Sequence, residues 1–122
     1  MSYQEIFKQE LSKRGLAWCR GCLQYSASHK RGFVAHSDKK FVHYDSEIAT
    51  RKTLHNGFHE IGHCVNDETG MRRFQREANA EKFATNLMRS LGISVPRIAV
   101  SRGKTYVKRM KRWGDSIKRG KR

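Results

Sequence analysis

The chain has 122 residues, of which 37% are hydrophobic and 30% are charged, and its formal net charge is +15. This length suits one domain with a modest core, and no apolar run approaches the roughly 18 residues that cross a bilayer. The N-terminus, MSYQEIFKQE, lacks the apolar segment of a secretory signal. We therefore expect a cytoplasmic protein without a membrane partner.

The first part of the chain carries signals for one helix and two strands. Residues 2–13 are predicted to form a helix, because Ile6, Phe7 and Leu11 share one face and Gly15 follows as a stop signal. Residues 32–36 and 41–44 read as strands joined by a polar turn. The segment 16–23 between the helix and the hairpin is ambiguous.

Two longer helices are predicted next. Residues 50–65 have an apolar stripe with spacings of four, three and four, made of Leu54, Phe58, Ile61 and Val65. Residues 72–91 follow after a polar turn, and Gly92 is a stop signal. The inward face of this second helix is expected to hold Ala80, Phe83, Ala84, Leu87 and Leu91.

The sequence HEIGH at residues 59–63 carries the chemistry. On a helix, His59 and His63 lie on one face, so both imidazoles can reach one metal ion. Glu60 is placed to accept a proton from a water that the metal activates. Two histidines leave zinc short of its usual three protein ligands. Glu77 is the best candidate for the third, because a charge on an inward apolar stripe is costly unless it is bound; Glu81, one turn later, is the alternative.

These residues resemble the ImmA/IrrE-type metallopeptidases, small gluzincins of bacteria, mobile elements and phages. The similarity runs from about residue 32 to residue 88 and covers the hairpin, the HEIGH helix and the stretch EANAEKFA at 77–84. In the family's second motif the first glutamate is the metal ligand, which favours Glu77. The sequence departs from the family at His55 and Gly57, at positions that are usually apolar. It also lacks the proline that follows the second motif in the family.

The resemblance implies an α+β fold in which a small antiparallel sheet packs on the HEIGH helix and the helix of Glu77. It also implies one zinc ion and hydrolysis of peptide bonds, often in a regulatory protein substrate. Strand 41–44 is either an edge that binds an extended substrate or simply half of a core sheet. The group that stabilises the oxyanion is not identified; the candidates are His43, Tyr44 and Tyr106.

The three cysteines cannot form a complete disulfide framework, so we expect free thiols or metal ligands. Cys19 and Cys22 form a single CxxC, which is a weak signal. This pair packs against the core, or it supplies half of a structural zinc site. The remaining ligands of such a site would come from Cys64, His29, His36 or His43.

We divide the chain into a metallopeptidase domain, 1–96, and a basic C-terminal tail, 97–122, that docks at most as a short helix. The tail holds eleven lysines or arginines against one acid, Asp115, and so carries +10 of the net charge. A second hypothesis is therefore a basic nucleic-acid-binding protein whose zinc is structural or whose site is no longer catalytic, with Tyr106 and Trp113 stacking on bases. Deletion of the tail is expected to spare the zinc site. The basic contacts would come from Lys104, Lys108, Arg109, Lys111 and Arg112.

Overall fold

A computed structural model describes residues 1–21, 33–36, 40–45 and 47–118, without the side chains of residues 34, 36 and 113–118. Over these residues the fold is α+β, as predicted. None of the helices in the described part of the chain combines the length and the apolar character needed to cross a membrane. The elements in chain order are α1 (Tyr3–Lys13), β1 (Ala17–Arg20), β2 (Phe33–His36), β3 (Phe41–Tyr44), α2 (Arg51–Val65), α3 (Arg73–Ser90) and α4 (Arg97–Lys118).

The three strands form one mixed sheet in the order β1-β3-β2. Strands β2 and β3 are antiparallel, with Phe33 opposite Tyr44, whereas β1 lies parallel to β3, with Ala17 opposite Phe41. The prediction of an antiparallel sheet is therefore wrong, because part of the ambiguous segment after α1 adds a parallel strand. Strand β3 is paired on both sides, so it is central and is not an edge.

The core lies where α1 and α2 meet the sheet. Helix α2 packs on β2 and β3, and α1 packs on α2 and β1. The ring of Phe7 sits edge-on to the ring of Tyr44 at 5.1 Å and also lies near Phe33 and Phe58. Burial of each such ring contributes roughly 1.5–3 kcal/mol. This aromatic cluster fixes α2, which carries the HEIGH sequence, against the sheet.

The apolar stripe predicted on α2 is buried at Leu54, Phe58 and Ile61. Val65 departs from the prediction and is 38% exposed, since it is the last residue of the helix. Leu91 departs in the same way, because α3 ends at Ser90 and Leu91 follows as its cap. Other inward positions of α3 are buried as expected: Ala80, Ala84 and Leu87.

Helix α4 has 22 residues and packs along α3, so the prediction of a tail without clear periodicity is wrong over 97–118. Ala99, Tyr106 and Met110 recur at spacings of seven and four, and Ala99 is fully covered. The stripe is hard to recognise in the sequence because it consists of one small and two large residues separated by many charges. The docked segment is therefore a long helix and not a short one.

Candidate metal centre

Three side chains from two helices converge at one point. His59 and His63 lie one turn apart on α2, and their Nε2 atoms are 3.1 Å apart. Glu77 comes from α3, and its Oε2 lies 2.7 Å from His59 Nε2 and 3.3 Å from His63 Nε2. These three residues form a group that could hold a metal ion, so the structure brings together the predicted ligands.

The donor set and its spacing fit a divalent metal with tetrahedral ligands. Two imidazoles and one carboxylate are a common set for a catalytic zinc ion, and the fourth position stays open. Ligand atoms bound at about 2.0–2.1 Å in tetrahedral geometry lie roughly 3.3 Å from one another. The distances among the three atoms are close to this value, so an ion would need only a small outward movement of the side chains.

The outer nitrogens of both histidines face further carboxylates. His59 Nδ1 lies 2.8 Å from Glu81 Oε1, and His63 Nδ1 lies 2.7 Å from Glu68 Oε2. His63 can donate its Nδ1 proton to Glu68, which leaves its Nε2 free to bind a metal. His59 Nδ1 lies within ion-pair distance of Glu81 but is not aligned for a hydrogen bond to it. Glu81 therefore acts behind His59 and does not occupy the ligand position.

A glycine explains how α3 comes so near to α2. A Cβ added at Gly62 would lie 3.0 Å from the backbone Cα of Ala80 and 3.2 Å from Cβ of Phe83. Contacts this short leave no room for a side chain. Gly62, in the middle of HEIGH, therefore permits the helix approach that carries Glu77 to the two histidines.

The side chains of the candidate metal centre shift one another's pKa values. Burial alone would lower the pKa of His59, but its bonds to Glu77 and Glu81 outweigh burial and raise that pKa to about 9. Burial likewise opposes protonation of His63, and its bonds to Glu77 and Glu68 raise its pKa. Hydrogen bonds from the two histidines hold the pKa of Glu77 far below its usual range. The shifts have one direction: the negative charge of Glu77 favours the protonated form of both imidazoles, and the imidazoles favour the charged form of Glu77.

Glu60 lies beside this cluster and is partly buried. Burial raises the pKa of its carboxyl group, while the charges of His59 and His63 oppose the rise. The backbone N–H of Ala35 on β2 also bonds the carboxylate, which places Glu60 between the histidines and the outer strand of the hairpin. A carboxylate with a raised pKa at this position can take up a proton and give it back.

His55, one turn before His59, is completely buried. Its Nε2 lies 3.1 Å from Thr85 Oγ1, so it joins α2 to α3. Burial lowers its pKa to about 4, and the neutral ring packs as part of the core. A surface position for His55 is therefore excluded.

Helix α4 reaches the metal centre through Arg102, a contact that the sequence does not reveal. The guanidinium donates to Asn56 Oδ1 on α2 at 3.2 Å, and its Nε lies 3.6 Å from Glu81 Oε1. Glu81 in turn holds His59. Deletion of 97–122 would thus remove a neighbour of the candidate metal centre, and the expectation that it spares the zinc site stays a prediction. The contact of Glu68 with His63 is also not predicted from the sequence, because a lone glutamate in a polar turn carries no distinguishing signal.

The three candidates for oxyanion stabilisation, His43, Tyr44 and Tyr106, differ in their burial and in their neighbours. Tyr44 is fully buried, and its hydroxyl accepts a hydrogen bond from Gln4 on α1. His43 is buried on the central strand. Burial, followed by the nearby carboxylates of Glu77 and Glu81, raises the pKa of Tyr106. Tyr106 is therefore the candidate that lies within electrostatic range of the metal ligands.

The basic residues predicted to contact nucleic acid lie on α4 and are exposed to solvent: Lys104, Lys108, Arg109, Lys111 and Arg112. The side chain of Trp113, predicted to stack on bases, lies outside the described residues.

Cys19 is disulfide-bonded, so the expectation that it is a free thiol or a metal ligand is wrong. Cys64 is free and buried. The other predicted partners of the CxxC, namely Cys22, His29 and the side chain of His36, also lie outside the described part of the chain.

No protein-family model matches the chain, and no curated protein or solved structure is significantly similar to it.

Proposed function

We propose that the protein is a zinc-dependent metallopeptidase of the ImmA/IrrE type that hydrolyses peptide bonds in a regulatory protein. The observation that carries the proposal is the convergence of His59 Nε2, His63 Nε2 and Glu77 Oε2, with the carboxylate of Glu60 beside them. The resemblance of HEIGH and of the stretch 77–84 to the family supports the same conclusion.

His59, His63 and Glu77 would hold the zinc ion, and Glu81 and Glu68 would orient the two imidazoles. Zinc supplies Lewis acidity to the substrate carbonyl and to the attacking water. The remaining steps belong to the chain's own residues.

Glu60 is the general base of this scheme. It accepts a proton from the attacking water and passes it to the amine that leaves when the peptide bond breaks. Its partial burial suits this role, because a carboxylate whose pKa is raised is a stronger base and takes up the proton of the attacking water more readily.

The experiment that tests the proposal is the substitution Glu60→Gln in zinc-loaded protein. The amide keeps the shape of the side chain but cannot accept the proton, so cleavage of an unstructured, fluorescently labelled protein should fall by a factor of roughly 10²–10⁴. Zinc content, measured by elemental analysis, should stay at one ion per chain. Equal cleavage by both forms, or a content of two ions, would contradict the proposal as stated.

A second function, nucleic-acid binding, is favoured by the outer face of α4. No acidic residue occurs between positions 97 and 114. Lys104, Lys108 and Lys111 recur at spacings of four and three, so these exposed residues form one stripe along the helix. Such a stripe can neutralise several phosphates and release their counterions.

Binding to a labelled duplex at several salt concentrations tests this second function. Replacement of Lys104, Lys108 and Lys111 by glutamine should lower affinity and reduce the slope of log K against log salt by about 2–3. The matched control replaces three exposed lysines on other helices, Lys13, Lys52 and Lys82. Equal losses in both variants would mean that net charge alone is responsible, and no binding at about 50 mM salt would exclude the function.

A further inference from the structure

A cavity of about 250 Å³ lies along one side of α4. The described residues that line it recur at spacings of three and four, so they belong to one face of the helix. This face differs from the stripe of Lys104 and Lys108, which points outward. The lining residues are Ile98, Ser101, Arg102, Thr105, Tyr106 and Arg109.

The cavity adjoins the metal centre. Arg102 is tied to α2 through Asn56 and approaches Glu81, which holds His59. Tyr106, one turn further along α4, lines the same cavity as Arg102. A peptide that places its scissile bond at the metal ligands would therefore have neighbouring residues beside α4.

The lining is suited to a small anion. The guanidinium of Arg109, the hydroxyl of Ser101 and the phenol of Tyr106 can donate hydrogen bonds, and Ile98 supplies an apolar wall. The hydroxyl of Thr105 already donates to the carbonyl of Ser101, and Arg102 already donates to Asn56. The charge of Arg102 is shared with Glu81, whereas Arg109 is exposed and takes part in none of the ion pairs between described residues. Arg109 is therefore the free cation of this surface within the described part of the chain.

Size and charge indicate which anion would bind. A volume of about 250 Å³ is below the range of roughly 300–1,000 Å³ that is common for small-molecule pockets, so it suits one side chain. The nearby carboxylates of Glu77 and Glu81 would repel a chain that carries one charge at every phosphate. A single carboxylate on an otherwise neutral peptide avoids most of this repulsion.

We propose that this cavity is a specificity subsite that takes the aspartate or glutamate side chain of a peptide substrate, with Arg109 as its principal partner. The inference rests on the proposed peptidase function and names the substrate class: peptides with an acidic residue at a fixed distance from the cleaved bond. A carboxylate that accepts charge-assisted hydrogen bonds from a guanidinium binds more tightly than its neutral amide.

The test uses eight-residue peptides with an alanine-based frame, each carrying one glutamate at a successive position, and matched peptides with glutamine there. Their binding to the zinc-loaded Glu60→Gln variant is measured by fluorescence anisotropy, and their cleavage by the unmodified protein is measured by mass spectrometry. We expect a preference of roughly 10-fold for glutamate over glutamine at one position, which corresponds to about 1.4 kcal/mol. Arg109→Gln should reduce it below about 3-fold. Arg97→Gln, which removes an exposed arginine of the same helix outside the cavity, should preserve it.

The outcomes separate the subsite from the peptidase function. Binding with the expected preference but without cleavage would support the subsite and contradict the peptidase. Cleavage without an acidic preference, or with equal effects of Arg109→Gln and Arg97→Gln, would overturn the subsite alone. Displacement of the peptide by a short oligonucleotide, in an Arg109-dependent manner, would also overturn it, because the cavity would then bind phosphates.

Discussion

Helices α2 and α4 both pack on α3, but the two interfaces differ in kind. At the α2 interface, Gly62 lies so close to the backbone of Ala80 that no side chain fits between them. At the α4 interface, Ala99 is buried, whereas further along the helix Arg102 makes polar contacts. Val107 on the other side of α4 is 65% exposed.

The two interfaces therefore differ in how precisely they fix the positions of side chains. The distances among atoms that ligate a metal must be constant to within a few tenths of an ångström. Two helices whose backbones lie in close contact can keep these distances constant. A helix attached through long, polar side chains presents charges at less fixed positions.

The largest effect is expected from removing the carboxylate of Glu77, which reaches from α3 to the histidines of α2. Glu77→Ala should lower zinc affinity by a factor on the order of 10³ or more, because a direct ligand is lost. Glu81→Ala should lower it about 10–100-fold, the usual cost of losing a group that orients a ligating histidine. The loss in Glu81→Ala is smaller because Glu81 contacts His59 Nδ1, on the side of the ring that faces away from Glu77.

Titration with a chromophoric zinc chelator as competitor measures both affinities. A greater loss in Glu81→Ala than in Glu77→Ala would contradict the ligand assignment. Thr85→Ala, on the same helix but bonded to His55, is a control that should stay near the unmodified affinity.

A change of pH should weaken the same interface in the metal-free protein. The pKa of His59 is raised from 6.5 to about 9 in the folded state, so its contribution to stability is complete below about pH 6.5 and is lost as pH rises through 9. The loss should be on the order of 2 kcal/mol, less than the full shift because the pair is coupled to other groups. Thermal unfolding of chelator-treated protein from pH 6.5 to pH 10 measures it.

Glu77→Gln supplies the comparison for this pH series. Its neutral amide no longer favours protonated His59, so the variant should lose less stability over the same interval. Parallel curves for the two proteins would show that the His59–Glu77 pair does not cause the dependence.

A smaller effect, on the free energy of unfolding, is expected when a glycine of α2 or of α4 is replaced by alanine. Gly62→Ala should destabilise the protein by about 1–2 kcal/mol, because overpacking at Ala80 exceeds the gain in helix propensity. Gly103→Ala on α4 meets no atom within 4 Å and should be neutral or stabilising by up to about 1 kcal/mol. Chemical denaturation of both variants measures the contrast. Similar changes at the two glycines would mean that the interfaces are equally tolerant.

The parts predicted from sequence are those governed by spacing within one element. The pair His59 and His63 needs only the geometry of a helix, and the stripe of Leu54, Phe58 and Ile61 needs only its period. The hairpin strands at 33–36 and 41–44 are also found nearly where the alternation of residues placed them.

The parts that were missed depend on contacts between elements. The parallel pairing of β1 with β3 cannot be inferred from a four-residue strand in which three residues are exposed and one is half-buried, because no alternation marks the strand. The contact of Arg102 with Glu81 joins positions 21 residues apart on different helices, and an arginine in a basic tail resembles its neighbours. The role of Glu68 likewise arises only because the turn after α2 folds back towards His63.

The mutual bonding of His59, His63 and Glu77 also bears on the order of events after the chain is made. Many small metal-binding domains remain unfolded until the ion arrives, since their ligands have no other partners. Here the three side chains satisfy one another, and the aromatic cluster around Phe7 holds α2 without help from an ion. We therefore expect the chain to fold before it would take up an ion, so that the supply of metal, and not folding, would limit how soon a metal-bound form appears.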